Sequence, residues 1–285
     1  MLCALVSLVA ALLIAGCKGN DITGPMSSDD ERRLGANAAA QIERQYKFVN
    51  DPDVVTHVVS VARPVFNQAS RERGDVSYSV RIIDNKEINA FSIPGGHVYI
   101  NKGLLDKVGN DDDALACIIG HETAHIVRRH VVKLIAKQQQ SGLLVDVAAI
   151  LSRSNTVGQI GSVVADLQNL HYSREDEYEA DRHGLRFAYN AGYDPAGMLR
   201  TFRILEKVTG SGADAPYAVD HPINRNRVLR ATEEWRELRA NHGEYISQDY
   251  DPNGDRVAAD RNGIDYNALV LATPAPPSNT VSGHK

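Results

Sequence analysis

The stretch His121-Glu122-Thr123-Ala124-His125 has the form H-E-x-x-H and lies within an apolar run of helical spacing. Residues four apart in an α-helix lie about 40° apart around its axis, so both imidazoles face one point. Neutral imidazoles are good ligands of Zn²⁺, and the glutamate beside them can act on a nearby water as general base. The stretch therefore predicts a helix that holds one zinc ion per chain beside a catalytic glutamate.

A catalytic zinc site needs a third protein ligand and an open fourth position. The metzincin pattern is excluded, because its third histidine would stand where this chain has Val131. His130 lies nine residues after His121, which in a continuous helix places it on the opposite face. We therefore expect His130 to pack or to form hydrogen bonds on that face.

An acidic helix start at residues 173–181 offers the better third ligand. Ser173 is a candidate N-cap, and acidic residues suit the first turn of a helix. Glu177 and Asp181 lie four apart on one face, beside Ala180 and Gly184, where a second helix can approach closely. One carboxylate would bind zinc, and the second, one turn on, would accept the outer N–H of a ligand histidine. The other acidic residues are expected to face solvent: Glu175, Asp176 and Glu179.

With these two motifs the chain resembles the M48 peptidases, gluzincins related to the CaaX prenyl protease and to bacterial periplasmic proteases. The likeness covers roughly residues 28–240. It extends to the segment 89–105, which contains a Pro-Gly-Gly turn, and to the late pair His221-Pro222 with Arg227 six residues after the histidine. Several motifs in the same order are far more specific than one.

The resemblance implies a role for each site residue. Glu177 is the third zinc ligand, Glu122 the general base, and Asp181 the partner of a ligand histidine. His221 would lie near the metal, either as a fourth ligand that keeps the enzyme latent or as a donor to the oxyanion of the transition state. Arg227 would stabilise the same oxyanion or anchor a carboxylate.

Two β-rich stretches precede the zinc helix. Residues 75–83 alternate like a strand, and residues 96–101 follow the Pro-Gly-Gly turn. A strand beside the zinc helix can bind an extended substrate through main-chain hydrogen bonds. We predict that Gly96, His97, Val98 and Tyr99 form this edge, the alternative being an ordinary buried strand. The expected fold is α+β and zincin-like, mostly helical, with a small sheet beside the HExxH helix.

The first 16 residues contain no charged side chain and are rich in leucine, valine and alanine. They are too few for a membrane span, which needs about 20 residues, and they fit a signal peptide. Ile14-Ala15-Gly16-Cys17 resembles a bacterial lipobox, the alternative being an ordinary secretory signal. We therefore predict lipid attachment at Cys17 and a periplasmic protein anchored to the membrane, with the outer membrane as expected address.

The remaining chain divides into a tether at residues 17–28, a peptidase domain at 29–240 and a partly disordered extension at 241–285. Residues 249–260 imitate a calcium loop in part, although a polar turn is favoured there. The net charge of −5 and the lack of a long basic run argue against nucleic acid as a partner. With only Cys117 left beyond the lipobox, no intramolecular disulfide is expected.

The predicted function is zinc-dependent peptide hydrolysis in the bacterial cell envelope. Its substrates, misfolded or misassembled envelope proteins, follow from the resemblance and from no residue. The alternative is a zinc-binding chaperone or assembly factor for outer-membrane proteins with latent protease activity. Membrane-embedded CaaX-type processing is opposed by the lack of an 18-residue apolar span after the signal.

Overall fold

A computed structural model describes residues 26–140, 171–210 and 216–240 of the chain. Several predicted features lie outside these residues: the signal peptide, the lipid site Cys17, and the possible calcium loop at 249–260. Met26 is buried and Ser27 caps the first helix, so the described fold includes residues 26–28, which were predicted to belong to the tether. Among the described helices none is both long and apolar enough to cross a membrane.

The described residues form nine helices and three strands, which confirms a mostly helical fold with a small sheet. In chain order these are α1 Ser28–Gln45, α2 Pro52–Glu72, β1 Ser79–Ile83, β2 Ala90–Ile93, β3 His97–Asn101, α3 Lys102–Val108, α4 Asp112–Val127, α5 His130–Gln140, α6 Arg174–Asn190, α7 Ala196–Gly210, α8 Pro216–Asp220 and α9 Arg225–Ala240.

The sheet has the order β1-β3-β2, with β3 parallel to β1 and antiparallel to β2. The turn between β2 and β3 depends on Gly95 and Gly96, whose φ angles of 87° and 104° favour glycine. A Cβ on Gly96 would also lie 2.3 Å from the carbonyl oxygen of Ser77. The Pro-Gly-Gly turn therefore folds as the sequence predicts.

The predicted substrate edge at Gly96, His97, Val98 and Tyr99 is wrong, because β3 is the central strand. Its residues pair with β1 on one side and with β2 on the other. The carbonyl of Gly96 accepts a hydrogen bond from the backbone N–H of Ser79. The main-chain groups of this strand therefore hold the sheet together, and β2 and β1 form its edges.

Helix α4, which carries the H-E-x-x-H stretch, is buried along its whole length from Ala114 to Ile126. It crosses α6 where Gly120 meets Gly184. A Cβ on Gly184 would lie 2.6 Å from the backbone nitrogen of His121, so only glycine permits this approach. The close crossing brings the acidic face of α6 against the two histidines of α4.

Candidate metal centre

Four buried side chains from three parts of the chain meet at the crossing of α4 and α6. The Nε2 atoms of His121 and His125 are 3.1 Å apart, and the Nδ1 of His221 lies 3.2 Å from the Nε2 of His121. The Oε1 of Glu177 lies 2.9 Å from the Nδ1 of His221 and 3.5 Å from the Nε2 of His125. One ligand atom from each of the four residues lies within 4.8 Å of the others, which makes a buried metal-binding cluster.

The spacing and donor set of this cluster fit zinc. With Zn–N distances of 2.0–2.1 Å, two ligands of a tetrahedral site are about 3.3–3.4 Å apart, close to the spacing of these nitrogens. Burial, followed by the neighbouring histidines, lowers the pKa of His125 well below its usual value, and a ligand imidazole must be neutral. Burial also opposes charge on His221, but Glu177 and Glu122 outweigh it and raise its pKa to about 9. The two carboxylates therefore favour a positive charge at His221.

Glu122 lies beside the cluster with its side chain fully buried. Neither carboxylate oxygen has a hydrogen-bond partner among the described residues, and the Nε2 of His221 is 3.5 Å from the nearer one. Burying a carboxylate without hydrogen bonds is costly, and such groups concentrate at functional sites. Glu122 is therefore placed to exchange a proton with a molecule held at the cluster.

Helix α6 begins with a capping box in which Ser173 and Asp176 each bond the other's backbone N–H. This start sets the face on which Glu177 and Asp181 point inward. The Oδ1 of Asp181 lies 3.0 Å from the Nδ1 of His121, on the side of the ring away from the cluster. Burial opposes ionisation of Glu177, but His221 and Arg227 outweigh it and lower its pKa to about 2.

Arg227 lies behind the cluster, fully buried, and contacts both acidic residues of α6. Its Nε and Nη2 donate to the two carboxylate oxygens of Asp181 at 2.7 Å each, and its Nη1 lies 2.7 Å from the Oε2 of Glu177. Nη1 also donates to the carbonyl oxygen of His221 at 3.0 Å. Of the two roles that the resemblance implies, these contacts favour anchoring of carboxylates.

His130 was expected on the face opposite the cluster, and that prediction is wrong. Its Nδ1 lies 2.9 Å from the Nδ1 of His125. The expectation assumed a continuous helix, whereas α4 ends at Val127 and Arg129 adopts a positive φ of 57° before α5 begins. The metal-binding cluster nevertheless does not include His130.

Two more residues at the site were not predicted from the sequence. Glu179, expected to face solvent, is 23% exposed, and its Oε2 lies 3.0 Å from the Nε2 of His130. The ring of Tyr172 stacks on that of His125, with centroids 3.9 Å apart. For the contact between Glu179 and His130, the only signal in the sequence was a histidine five residues after His125. No signal in the sequence pointed to the contact between Tyr172 and His125.

Comparison with known proteins agrees with this geometry. The profile of Peptidase family M48 matches residues 52–235. The beta-barrel assembly-enhancing protease of Escherichia coli (strain K12) is 24% identical over 232 residues, which cover 78% of this chain and 47% of that protein. The mitochondrial metalloendopeptidase OMA1 of Schizosaccharomyces pombe is 29% identical over 214 residues, which cover 74% and 62%.

A third relative matches over more of its own length. The metalloprotease LoiP of Escherichia coli (strain K12) is 26% identical over 242 residues, which cover 79% of this chain and 92% of that protein. By contrast, this chain spans about half the length of the beta-barrel assembly-enhancing protease. The family profile match at residues 52–235 contains all four residues of the metal-binding cluster.

Proposed function

The chain belongs to the metallopeptidases of family M48, and from this premise we propose that it is a zinc-dependent endopeptidase of the bacterial cell envelope. The observation that carries the proposal is the buried cluster of His121, His125, Glu177 and His221 beside the carboxylate of Glu122, which has no hydrogen-bond partner among the described residues. A purely structural metal site has no use for such a carboxylate. A peptidase needs it as a base.

The proposed mechanism assigns a task to each residue. His121, His125 and Glu177 would hold a zinc ion, which acts as a Lewis acid toward the scissile carbonyl and makes water a stronger nucleophile at neutral pH. Glu122 takes the proton of the attacking water on its carboxylate and delivers it to the leaving amine. The Oδ1 of Asp181, 3.0 Å from the Nδ1 of His121, would accept the Nδ1–H and keep the Nε2 of that ring free for the metal.

The substrate would bind along β2 rather than along β3. The edge of β1 that faces away from β3 is partly occupied by the segment before α2. Val49 donates its backbone N–H to the carbonyl oxygen of Ile82, and Phe48 forms a β-bridge with Ile83. The outer edge of β2, at Ala90–Ile93, has no strand partner among the described residues, and β2 packs against α4. An extended peptide paired there would be held by main-chain hydrogen bonds, which tolerate many sequences.

The location and the substrates are further parts of the proposal. The lipobox-like sequence before Cys17 supports a lipid anchor on the periplasmic side of the membrane. One relative is named for enhancing β-barrel assembly, which supports misfolded or misassembled envelope proteins as the substrate class. Unfolded chains offer the extended segments that pairing at β2 requires.

We expect the purified full chain to cleave casein, an unfolded substrate. Cleavage should fall to background when a chelator removes the metal and return when zinc is added, because the three ligands hold the ion that activates water. The measurement is the release of labelled peptides alongside zinc per chain. Cleavage that persists after the bound zinc has been removed would contradict a zinc mechanism.

A second candidate function, a zinc-binding assembly factor with latent protease activity, is favoured by the position of His221. Its Nδ1 lies 3.2 Å from the Nε2 of His121 and 2.9 Å from the Oε1 of Glu177, among the ligand atoms of the cluster. A fourth protein ligand would close the position that substrate or water must occupy. We propose that His221 holds the enzyme latent in this way.

His221→Ala is therefore expected to retain zinc and to cleave casein several-fold faster than the wild type. The three other ligands remain, and the fourth position becomes open to water. The measurement is the initial rate of casein cleavage at equal zinc content, with the exposed His57→Ala as control. A slower rate in His221→Ala would instead identify the residue as a donor to the oxyanion.

A further inference from the structure

We propose that His130, held by Glu179, positions the zinc ligand His125. This inference rests on the proposed zinc site but not on peptidase activity. It assigns His130 a positioning role, since the residue would act on the metal only through another histidine.

The contacts form a chain that leads outward from the cluster. The Nε2 of His125 faces the cluster and its Nδ1 faces the Nδ1 of His130, 2.9 Å away. The Nε2 of His130 lies 3.0 Å from the Oε2 of Glu179. His130 is fully buried, and the Oε1 of Glu179 is held in turn by Arg128 at 2.5 Å.

Metal binding leaves one consistent arrangement of protons along this chain. A metal ligand uses the lone pair of Nε2, so the proton of His125 must lie on Nδ1. That N–H can only donate, so the Nδ1 of His130 must accept and its proton must lie on Nε2. The latter proton is donated to the carboxylate of Glu179. Two neutral imidazoles and one carboxylate therefore fix the tautomer and the ring orientation of His125.

The two histidines of α4 are supported in different ways by the same helix. His121 faces a carboxylate directly, because Asp181 is one helical turn after Glu177 and points the same way. Glu179 is two residues after Glu177, about 200° around the helix, and therefore lies outside the cluster. His130 fills the gap between this outer carboxylate and His125.

The interruption between α4 and α5 brings His130 next to His125, and contacts with the N-terminal helix α1 stabilise this interruption. Arg129 has a φ of 57°, which is uncommon for a residue with a side chain. Its Nε lies 2.8 Å from the Oε2 of Glu31 in α1, a side chain that is 1% exposed. Arg73 also binds Glu31 and donates to the carbonyl oxygen of Ile126 at the end of α4. A buried ion cluster thus fixes the turn that returns His130 to the site.

The test compares zinc affinity between variants of the full chain, measured by competition with a fluorescent chelator. His130→Leu, which removes the acceptor, should bind zinc about 10- to 100-fold more weakly. His130→Asn should recover most of this loss, because its Oδ1 can accept the N–H of His125. Glu179→Gln should bind a few-fold more weakly, and the exposed Glu175→Gln should equal the wild type.

Three results would overturn the inference. If His130→Leu and Glu179→Gln bind zinc as tightly as the wild type, His130 merely packs, even if the metal-free variants unfold at lower temperature. If His130→Leu does not fold, equal affinity in His130→Asn, Glu179→Gln and wild type would still contradict a role for the carboxylate. A wild-type chain that binds no zinc would overturn the proposed function and this inference together, whereas a zinc-binding chain without peptidase activity leaves this inference standing.

Discussion

Glu122→Gln is expected to slow casein cleavage by about 10²- to 10⁴-fold while leaving the zinc content of the protein unchanged. Glutamine has nearly the same shape as glutamate, but its amide cannot take a proton from water or deliver one to the leaving amine. Glu122 is not among the ligands of the cluster, and neither of its oxygens has a hydrogen-bond partner among the described residues. The measurement is the initial rate of cleavage of labelled casein by zinc-loaded protein.

Glu175→Gln is the matched control, because it makes the same chemical change at an exposed glutamate close to the site in sequence. It should leave the rate unchanged. If zinc-loaded Glu122→Gln cleaves casein at the wild-type rate, Glu122 is not the general base. Glu122→Gln also separates the two candidate functions in cells. An endopeptidase loses its role in the envelope with this change, whereas an assembly factor largely keeps it.

The sequence was sufficient for the parts of the site that local periodicity determines. Two histidines four apart in a helix must share a face, and a serine before an acidic turn sets the start of the next helix. His121, His125 and Glu177 accordingly meet in one buried cluster. The glycine at 184 was also informative, because a side chain there would collide with the backbone of α4.

The strand order could not be obtained in this way. A pattern of alternating residues predicts a strand, but it carries no information on how many neighbours that strand has. His97–Asn101 is the central strand because β1 pairs with it in parallel on the side away from β2. The last residue of β1 lies 14 residues before the first residue of β3. Such pairing depends on contacts between separate segments of the chain. Because it makes β3 central, the proposed substrate edge is β2 and not β3.

The position of His130 was missed for a related reason. Helical geometry relates residues only while the helix continues, and the residues that end α4 are not helix breakers by type. The break at Arg129 depends on Glu31, about 100 residues earlier, and on Arg73. Local sequence around the zinc helix contains neither partner, so the interruption and its consequence for His125 appear only in the folded structure.

Arg227 determines how much negative charge the site can hold without metal. Glu177 and Asp181 are both about 97% or more buried, and burial opposes their ionisation. The guanidinium contacts both carboxylates at 2.7 Å. Although burial alone would raise the pKa of Asp181, the arginine holds it below its usual value. The arginine therefore keeps Asp181 ionised for His121, and together with His221 it keeps Glu177 ionised for the metal.

Arg227→Leu is accordingly expected to lower the free energy of unfolding of the metal-free protein by about 3–5 kcal/mol. The change leaves the buried carboxylate of Asp181 without its arginine, leaves Glu177 with His221 as its remaining cationic partner, and removes the bond to the carbonyl oxygen of His221. Urea unfolding followed by circular dichroism measures the loss. Zinc should recover part of it, because the ion binds only the folded site and neutralises Glu177 there.

Two further variants separate charge from geometry. Arg227→Lys keeps the positive charge but not the planar fork that binds both oxygens of Asp181, so it should lose less stability than Arg227→Leu. Arg230→Leu, on the same helix, removes an exposed arginine that lies over the ring of Tyr178, and it should cost no more than about 1 kcal/mol. Equal stability of Arg227→Leu and Arg230→Leu would show that the buried arginine is not what compensates the carboxylates, and that the two acidic residues are protonated when the metal is absent.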